Sequence, residues 1–106
     1  MNSTMNRVQN WYLSNCDGDW EHEFGISIDS LDNPGWWVKI DLRGTGLEHA
    51  RFSELSYGVA GEAGIDGNEW LVCKVVDGRF DGAGGPTKLE EILLVFLDWA
   101  EEANPR

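Results

Sequence analysis

The chain is poor in basic residues: 8 lysines and arginines stand against 19 aspartates and glutamates in 106 residues, which gives a formal net charge of −11. Proteins hold nucleic-acid phosphates with Lys and Arg, whose binding releases counterions, so this deficit argues against nucleic acid as a direct ligand. Net charge bears on association more than on fold. The composition therefore favours a basic partner, one that itself binds phosphates.

Cysteines and long apolar runs are also scarce. Cys16 and Cys73 are too few for a disulfide scaffold, so we expect both to be reduced thiols. The longest aliphatic and aromatic run, residues 92–97, falls far short of the ~20 apolar residues that cross a bilayer. Residues 1–12 lack the cationic and apolar segments of a secretory signal. These absences predict a cytoplasmic protein.

Two segments have helical periodicity. In residues 4–14, Val8, Trp11 and Tyr12 share one face, and Thr4 is the predicted N-cap. Residues 87–102 begin with a Thr-x-x-Glu capping box. The apolar positions of this second helix are Leu89, Ile92, Leu93, Phe96, Leu97 and Ala100.

Five segments are predicted strands, the third being the weakest candidate: residues 24–29, 36–43, 52–57, 69–76 and 79–82. The first two form a hairpin whose Asp-Asn-Pro-Gly connection fits a type II turn. The segment 69–76 is apolar on both faces, which predicts a central strand covered on each side. Asp77-Gly78 predicts a tight turn into the last strand.

These elements predict one α+β domain over residues 1–106. We expect an antiparallel sheet of about four or five strands packed with an N-terminal and a C-terminal helix, one on each face or both on one. Residues 58–68 contain several glycines and are predicted to be a mobile loop. Residues 82–86 are predicted to be a flexible lead into the last helix, since no P-loop or Rossmann motif accompanies their glycines.

The densest acidic segment is Asp-Gly-Asp-Trp-Glu-His-Glu at residues 17–23, here called the acidic loop. Asp17, Asp19 and His22 offer oxygen and imidazole ligands, which leaves open a small metal-dependent hydrolase. The spacing fits no EF-hand, because Trp20 stands where a third ligand belongs. In extended chain, His22 would also point away from the carboxylates. We therefore expect no metal, no cofactor and no catalytic residue.

Neither thiol has the surroundings of a nucleophile. Cys16 precedes acidic residues and follows a helix C-terminus, both of which disfavour the thiolate. Cys73 alternates with Leu71 and Val75 and is predicted to be a small core residue.

The last helix carries an acidic stripe with no basic residue between its members: Glu90, Glu91, Asp98, Glu101 and Glu102. Near a helix C-terminus the macrodipole disfavours acidic groups. A local rule is often broken where function overrides stability. The alternative is that these charges only keep the chain soluble.

The 6 tryptophans divide by their neighbours. Trp11, Trp36 and Trp99 lie at apolar positions and are predicted to be core residues. Trp20, inside the acidic loop, and Trp37, on the polar face of its strand, are predicted surface anchors. Trp70 fits either environment.

A longer pattern resembles a known family. The series W-Y…C-D-G-D-W-E-H…L-D-N-P-G-W, from Trp11 to Trp36, is similar to the immunity protein 53 family of bacterial polymorphic toxin systems, and F-L-D-W near the C-terminus looks like the same family's end. The resemblance implies an antidote that binds a cognate toxin domain and has no enzymatic activity. It assigns no residue to the toxin contact.

Charge and resemblance together predict an immunity protein that blocks a basic toxin domain, a nuclease, by stoichiometric binding, with the monomer favoured. The expected partner-binding residues are Asp17, Asp19, Trp20, Glu21, Trp37, Glu91, Asp98, Glu101 and Glu102. Two alternatives stay open: the metal-dependent hydrolase, and a regulatory adaptor with no toxin partner.

Overall fold

A computed structural model of the chain describes residues 3–60, 64–65 and 68–104. In chain order its elements are α1 (Thr4–Asn15), α2 (Trp20–Glu23), β1 (Ile26–Leu31), β2 (Gly35–Asp41), β3 (Leu55–Tyr57), β4 (Val59–Ala60), β5 (Gly64–Ile65), β6 (Leu71–Val76), β7 (Arg79–Gly84) and α3 (Leu89–Ala103). The predicted α+β class is confirmed. Within these ranges no helix is long and apolar enough to cross a bilayer.

Five strands form one antiparallel sheet in the order β1-β2-β7-β6-β3. The β6–β7 turn is the predicted Asp77-Gly78, and its two residues have φ of 54° and 72°. Positive φ at both central positions is the requirement of a type I′ turn, which matches the twist of the flanking strands. This prediction is confirmed.

The β1–β2 turn differs from the prediction. The Asn33-Pro34 peptide bond is cis, and Gly35 is not among the residues with positive φ, so the turn is not type II. Gly35 instead begins β2, where a Cβ would lie 2.4 Å from the carbonyl oxygen of Gly84 on β7. The glycine serves close strand approach rather than turn geometry.

The core lies between one face of the sheet and α3, with α1 packed beside α3. The predicted apolar positions of α3 are buried, except for half-buried Leu89. They meet a sheet face whose fully buried residues include Val38, Ile40, Phe80 and Cys73. Both helices are therefore on one side of the sheet.

The opposite face of the sheet has no helix over it among the described residues, and Trp37, Lys74 and Val76 are exposed there. The prediction that the β6 segment is covered on both sides is therefore wrong, although β6 is internal as expected. Ile28, predicted to face the core, is 38% exposed because β1 is an edge strand. Apolar alternation signals a strand but not its place in the sheet.

Both predicted helix caps are wrong. The N-cap of α1 is Ser3, whose Oγ accepts a hydrogen bond from the Asn6 N–H at 3.1 Å. The Thr4 hydroxyl donates instead to Glu90 Oε2 at 2.8 Å. Glu90 is thus hydrogen-bonded to α1 and forms no capping box in its own helix. α3 begins at Leu89, and no side chain caps its N-terminus.

The glycines before α3 are part of a strand. Gly82 and Gly84 belong to β7, so 82–86 is not simply a flexible lead. A Cβ on Gly82 would lie 2.6 Å from Ile92 Cγ2, which shows that the small residue lets α3 approach the sheet. Within 58–68, β4 and β5 pair with each other, and the other part of this predicted loop lies largely outside the described residues.

Candidate functional site

The acidic loop is a turn followed by the single-turn helix α2, not extended chain. Asp17 Oδ1 accepts hydrogen bonds from the N–H groups of Asp19 and Trp20, at 2.9 and 3.0 Å. The Glu21 carboxylate reaches back and accepts from the N–H groups of Asp17 and Gly18, each at 2.9 Å. This reciprocal arrangement resembles a capping box and fixes the loop from both ends.

Those hydrogen bonds also keep the loop negatively charged. The N–H groups of Trp20 and Asp19 lower the pKa of Asp17 below its ordinary value. The pKa of Glu21 is lowered by its own backbone N–H and by those of Asp17 and Gly18. Donors to a carboxylate favour its ionised form. Both groups therefore stay ionised to a lower pH than an ordinary Asp or Glu.

Trp20 is buried, with 5% of its surface exposed. Its ring makes edge contacts with Trp11 and Tyr12, at centroid distances of 6.1 and 5.9 Å, and its Nε1–H donates to the Arg43 carbonyl at 2.8 Å. The prediction that Trp20 is a surface anchor is wrong. The indole attaches the acidic loop to the body of the protein, and its neighbours in sequence hid that role.

The acidic stripe divides into two parts. At its C-terminal end, the Arg7 guanidinium of α1 donates to Asp98 at 3.2 Å and to Glu101 at 2.7 Å. Both carboxylates remain mostly exposed, and Glu102 takes part in no ion pair among the described residues. One cation thus faces a larger number of carboxylates, which leaves this end negative. Sequence reasoning missed Arg7 because it lies 91 residues from Asp98.

The N-terminal part of the stripe is occupied by its neighbours. The Tyr57 hydroxyl donates to Glu91, and Lys88 lies 3.8 Å from the same carboxylate. The contact with Glu91 raises the pKa of Tyr57. The hydrogen bond to Glu69 raises the pKa of Lys88 to about 12, so Lys88 is cationic at neutral pH. Glu91 is therefore a locally compensated charge.

A cleft of about 530 Å³ lies between α1 and the last turns of α3. Its lining combines amide and charged groups with apolar side chains: Arg7, Asn10, Trp11, Ser14, Asn15, Gly46, Leu97, Ala100, Glu101 and Asn104. Asn15, two residues before the acidic loop, and Glu101 of the stripe line the same cleft. We call this region, with Asp17, Asp19, Asp98, Glu101 and Glu102, the acidic end.

Two large apolar side chains are exposed next to the acidic end. Leu13 is 69% exposed and Tyr12 37% exposed, both in the last turns of α1 just before the acidic loop. Sequence reasoning placed Tyr12 on the buried face and did not select Leu13. The available signal was Leu13 itself, an apolar residue off the helix's buried stripe.

Trp37 is on the surface as predicted, 36% exposed on the open face of the sheet. Its Nε1–H donates to Asp81 at 2.8 Å, and Lys39 Nζ lies 4.3 Å from the ring centroid. This face mixes both signs of charge and lies across the sheet from the helices that form the acidic end. Of the other tryptophans, Trp70 is buried, and the three predicted core residues are half-buried against the core.

No three His, Cys, Asp or Glu side chains converge as metal ligands in the part of the chain that the structure describes. Asp17, one ligand of the hydrolase alternative, already accepts two backbone hydrogen bonds through Oδ1. Cys73 is fully buried, as predicted, and desolvation raises its pKa to about 12. Its thiol stays protonated and serves packing.

Comparison with known proteins agrees with the motif pattern. The family model described as Immunity protein 53 matches residues 5–101, from the first turn of α1 to the last turns of α3. Searches among curated proteins and among solved structures gave no match. The matched span contains the acidic loop, Trp37 and the stripe as far as Glu101. The chain belongs to the immunity protein 53 family.

Proposed function

We propose that this protein is a cytoplasmic antidote that neutralises a cognate bacterial toxin domain by stoichiometric binding and transforms no substrate. Family membership supports the immunity role. The observation that supports the binding mode is the acidic end: Glu101 lines the cleft, the acidic loop begins two residues after Asn15 of the same lining, and Arg7 pairs there with Asp98 and Glu101 of the stripe. A surface of this charge selects a basic counterpart.

The charge of the acidic end supports a nuclease as the target. A nuclease holds phosphates with basic side chains around its active site. Carboxylates placed at the acidic end would occupy the positions of those phosphates and exclude the substrate. Complementary charge also speeds encounter, toward roughly 10⁸ to 10⁹ M⁻¹s⁻¹ at low salt, which suits an antidote that must act before the toxin does.

The apolar part of the contact is assigned differently from the sequence prediction. Trp20 is buried, and Trp37 lies on the other face of the sheet, so neither sits among the exposed carboxylates of the acidic end. Leu13 and Tyr12 are exposed beside the acidic loop and supply apolar area there. Charge then guides association, and burial of these two side chains slows release.

A charge reversal with a matched control tests the position of the contact. Glu102→Lys changes the net charge by the same amount as Glu54→Lys, and neither residue makes an ion pair in the described structure. Glu102 lies at the acidic end, whereas Glu54 is exposed directly before β3, the sheet edge opposite β1. The toxin domain encoded beside this chain's gene is the probe, and biolayer interferometry gives the rates.

We expect Glu102→Lys to lower the association rate several-fold at low salt and to lower it less at high salt. Glu54→Lys should change the rate much less. Equal effects of the two variants would show that only total charge matters and would remove the acidic end from the contact. Wild-type protein that neither binds the toxin nor restores growth to cells producing it would contradict the immunity function itself.

A further inference from the structure

Strand β1 is an exposed edge of the five-stranded sheet. Residues 27–30 are all exposed, whereas the internal strand β7 has no exposed residue. No described helix or strand packs along its outer side. The other edge, β3, is a strand of only three residues. β1 is therefore the long free edge of this protein.

The hydrogen bonds to β2 show which backbone groups of β1 are unpaired. The Asp41 N–H donates to the Gly25 carbonyl at 3.0 Å, and the register continues without a bulge from Ile26↔Ile40 to Leu31↔Gly35. In an antiparallel pair, alternate residues direct their N–H and C=O to the same neighbour. The backbone N–H and C=O groups of residues 27, 29 and 31 therefore bond to β2. Those of Ile26, Ile28 and Ser30 point away from β2, out of the edge of the sheet.

This edge lacks the devices that usually block strand addition. Natural edges carry proline, lysine, a bulge or a cover. β1 has the sequence Ile-Ser-Ile-Asp-Ser-Leu, with no proline and no lysine, and its one charge is Asp29. Ile28 adds an apolar side chain that is 38% exposed at the rim of the core. Such an edge is a template for another strand.

We propose that β1 receives an extended segment of the toxin domain, which adds a strand to the sheet by main-chain hydrogen bonding. The inference rests on the proposed immunity function and names the geometry of the contact. An apolar side chain of the added strand packs on Ile28 from the helix side. A basic side chain faces Asp29 on the open side of the sheet.

Charge selects the toxin over a second copy of this chain as the occupant. A second copy would bring another net charge of −11 to the same edge and would add its own aspartates to the site. A basic segment meets Asp29 and, beyond the start of β1, the acidic loop, which ends at Glu23, three residues before Ile26. The edge and the acidic loop thus follow one another directly along the chain, and both present acidic groups to a cationic partner.

Amide hydrogen exchange followed by NMR tests the added strand directly. In the free protein, the N–H groups of Ile28 and Ser30 should exchange fast, and those of Ser27, Asp29 and Leu31 slowly. Addition of the toxin domain should slow Ile28 and Ser30 at least tenfold. Bound toxin with unchanged exchange at both residues would overturn this inference and leave the immunity function standing. Absence of any binding by the wild type would overturn both.

Proline variants give a second, independent test. Ile28→Pro removes an N–H that faces away from β2, so the sheet keeps its ladder while an added strand loses a donor and meets the ring. Toxin affinity should fall about tenfold or more. Ile28→Val keeps the N–H and should bind within about threefold of wild type, with the thermal melt of each variant checked first. Ser30→Pro repeats the test at a second position whose N–H faces away from β2.

Two results would contradict the assignment. Folded Ile28→Pro and Ser30→Pro proteins that both bind toxin as tightly as wild type would show that the edge is not used. Slowed exchange of Ile28 and Ser30 at rising protein concentration, without toxin and with a dimer in sedimentation, would assign the edge to a second copy instead.

Discussion

Replacing Trp20 tests whether its indole is a buried structural contact or a surface anchor for the toxin. Trp20 is 5% exposed, packs on Trp11 and Tyr12 and donates its Nε1–H to the Arg43 carbonyl. Truncation of a buried Trp to Ala costs about 3 to 5 kcal/mol, since it loses both transfer free energy and packing. Trp20→Phe keeps a ring and removes the N–H donor, so it should lose about 1 kcal/mol for the hydrogen bond and a further amount for the smaller ring.

The assay is thermal unfolding followed by circular dichroism. For a domain of this size about 1 kcal/mol shifts Tm by roughly 4 to 8 °C, so Trp20→Ala should lower Tm by at least about 12 °C. Trp37→Ala makes the same change at an exposed position and should cost less than about 2 kcal/mol. A Trp20→Ala protein with wild-type Tm and lost toxin binding would refute the reasoning, because it would mean that the indole faces the partner.

The other predictions concern the caps and the acidic loop. Ser3→Ala should lower the free energy of unfolding by about 1 kcal/mol, because Ser3 caps α1. Thr87→Ala should change it by no more than about 0.5 kcal/mol, because the predicted capping box is not formed. Urea denaturation measures both, and a larger loss in Thr87→Ala than in Ser3→Ala would contradict the cap assignment. Acidification should loosen the loop: the folded-state pKa values of Asp17 and Glu21 lie below the ordinary values of 3.8 and 4.5, so their contribution is present above those values and is lost as pH falls through the lowered ones. Tryptophan fluorescence against pH should show this transition as the pH falls below those ordinary values, and Asp17→Asn should weaken it. An unchanged profile in that variant would exclude Asp17 as the group that titrates.

Elements with a strong local pattern were predictable from the sequence. The apolar spacing of α3 identifies a helix, and Asp77-Gly78 identifies the β6–β7 turn. Both elements depend on neighbours within a few residues, so the sequence alone predicts them. The α+β class follows from such elements. Sheet order does not, so the edge position of β1 and its exposed Ile28 appear only in the structure.

The site was predicted in part, and its errors have one cause. Asp98, Glu101 and Glu102 are exposed, as their positions on the acidic stripe predicted. The residues that pair with other predicted site residues are distant from them in sequence. Arg7 reaches Glu101 across 94 residues, and Thr4 withdraws Glu90 from its cap across 86. Trp20 has acidic neighbours in the chain and aromatic ones in space. The sequence therefore identified the negative charge of the surface, but not the residues that neutralise part of it.

The central claim is stoichiometric capture, and titration of toxin activity with purified wild-type protein tests it most directly. At toxin concentrations well above Kd, we expect residual toxin activity to fall linearly and to reach zero at one equivalent of this protein. Complete inhibition by a small fraction of an equivalent would mean that the protein modifies the toxin catalytically. Full toxin activity in excess protein would contradict capture altogether.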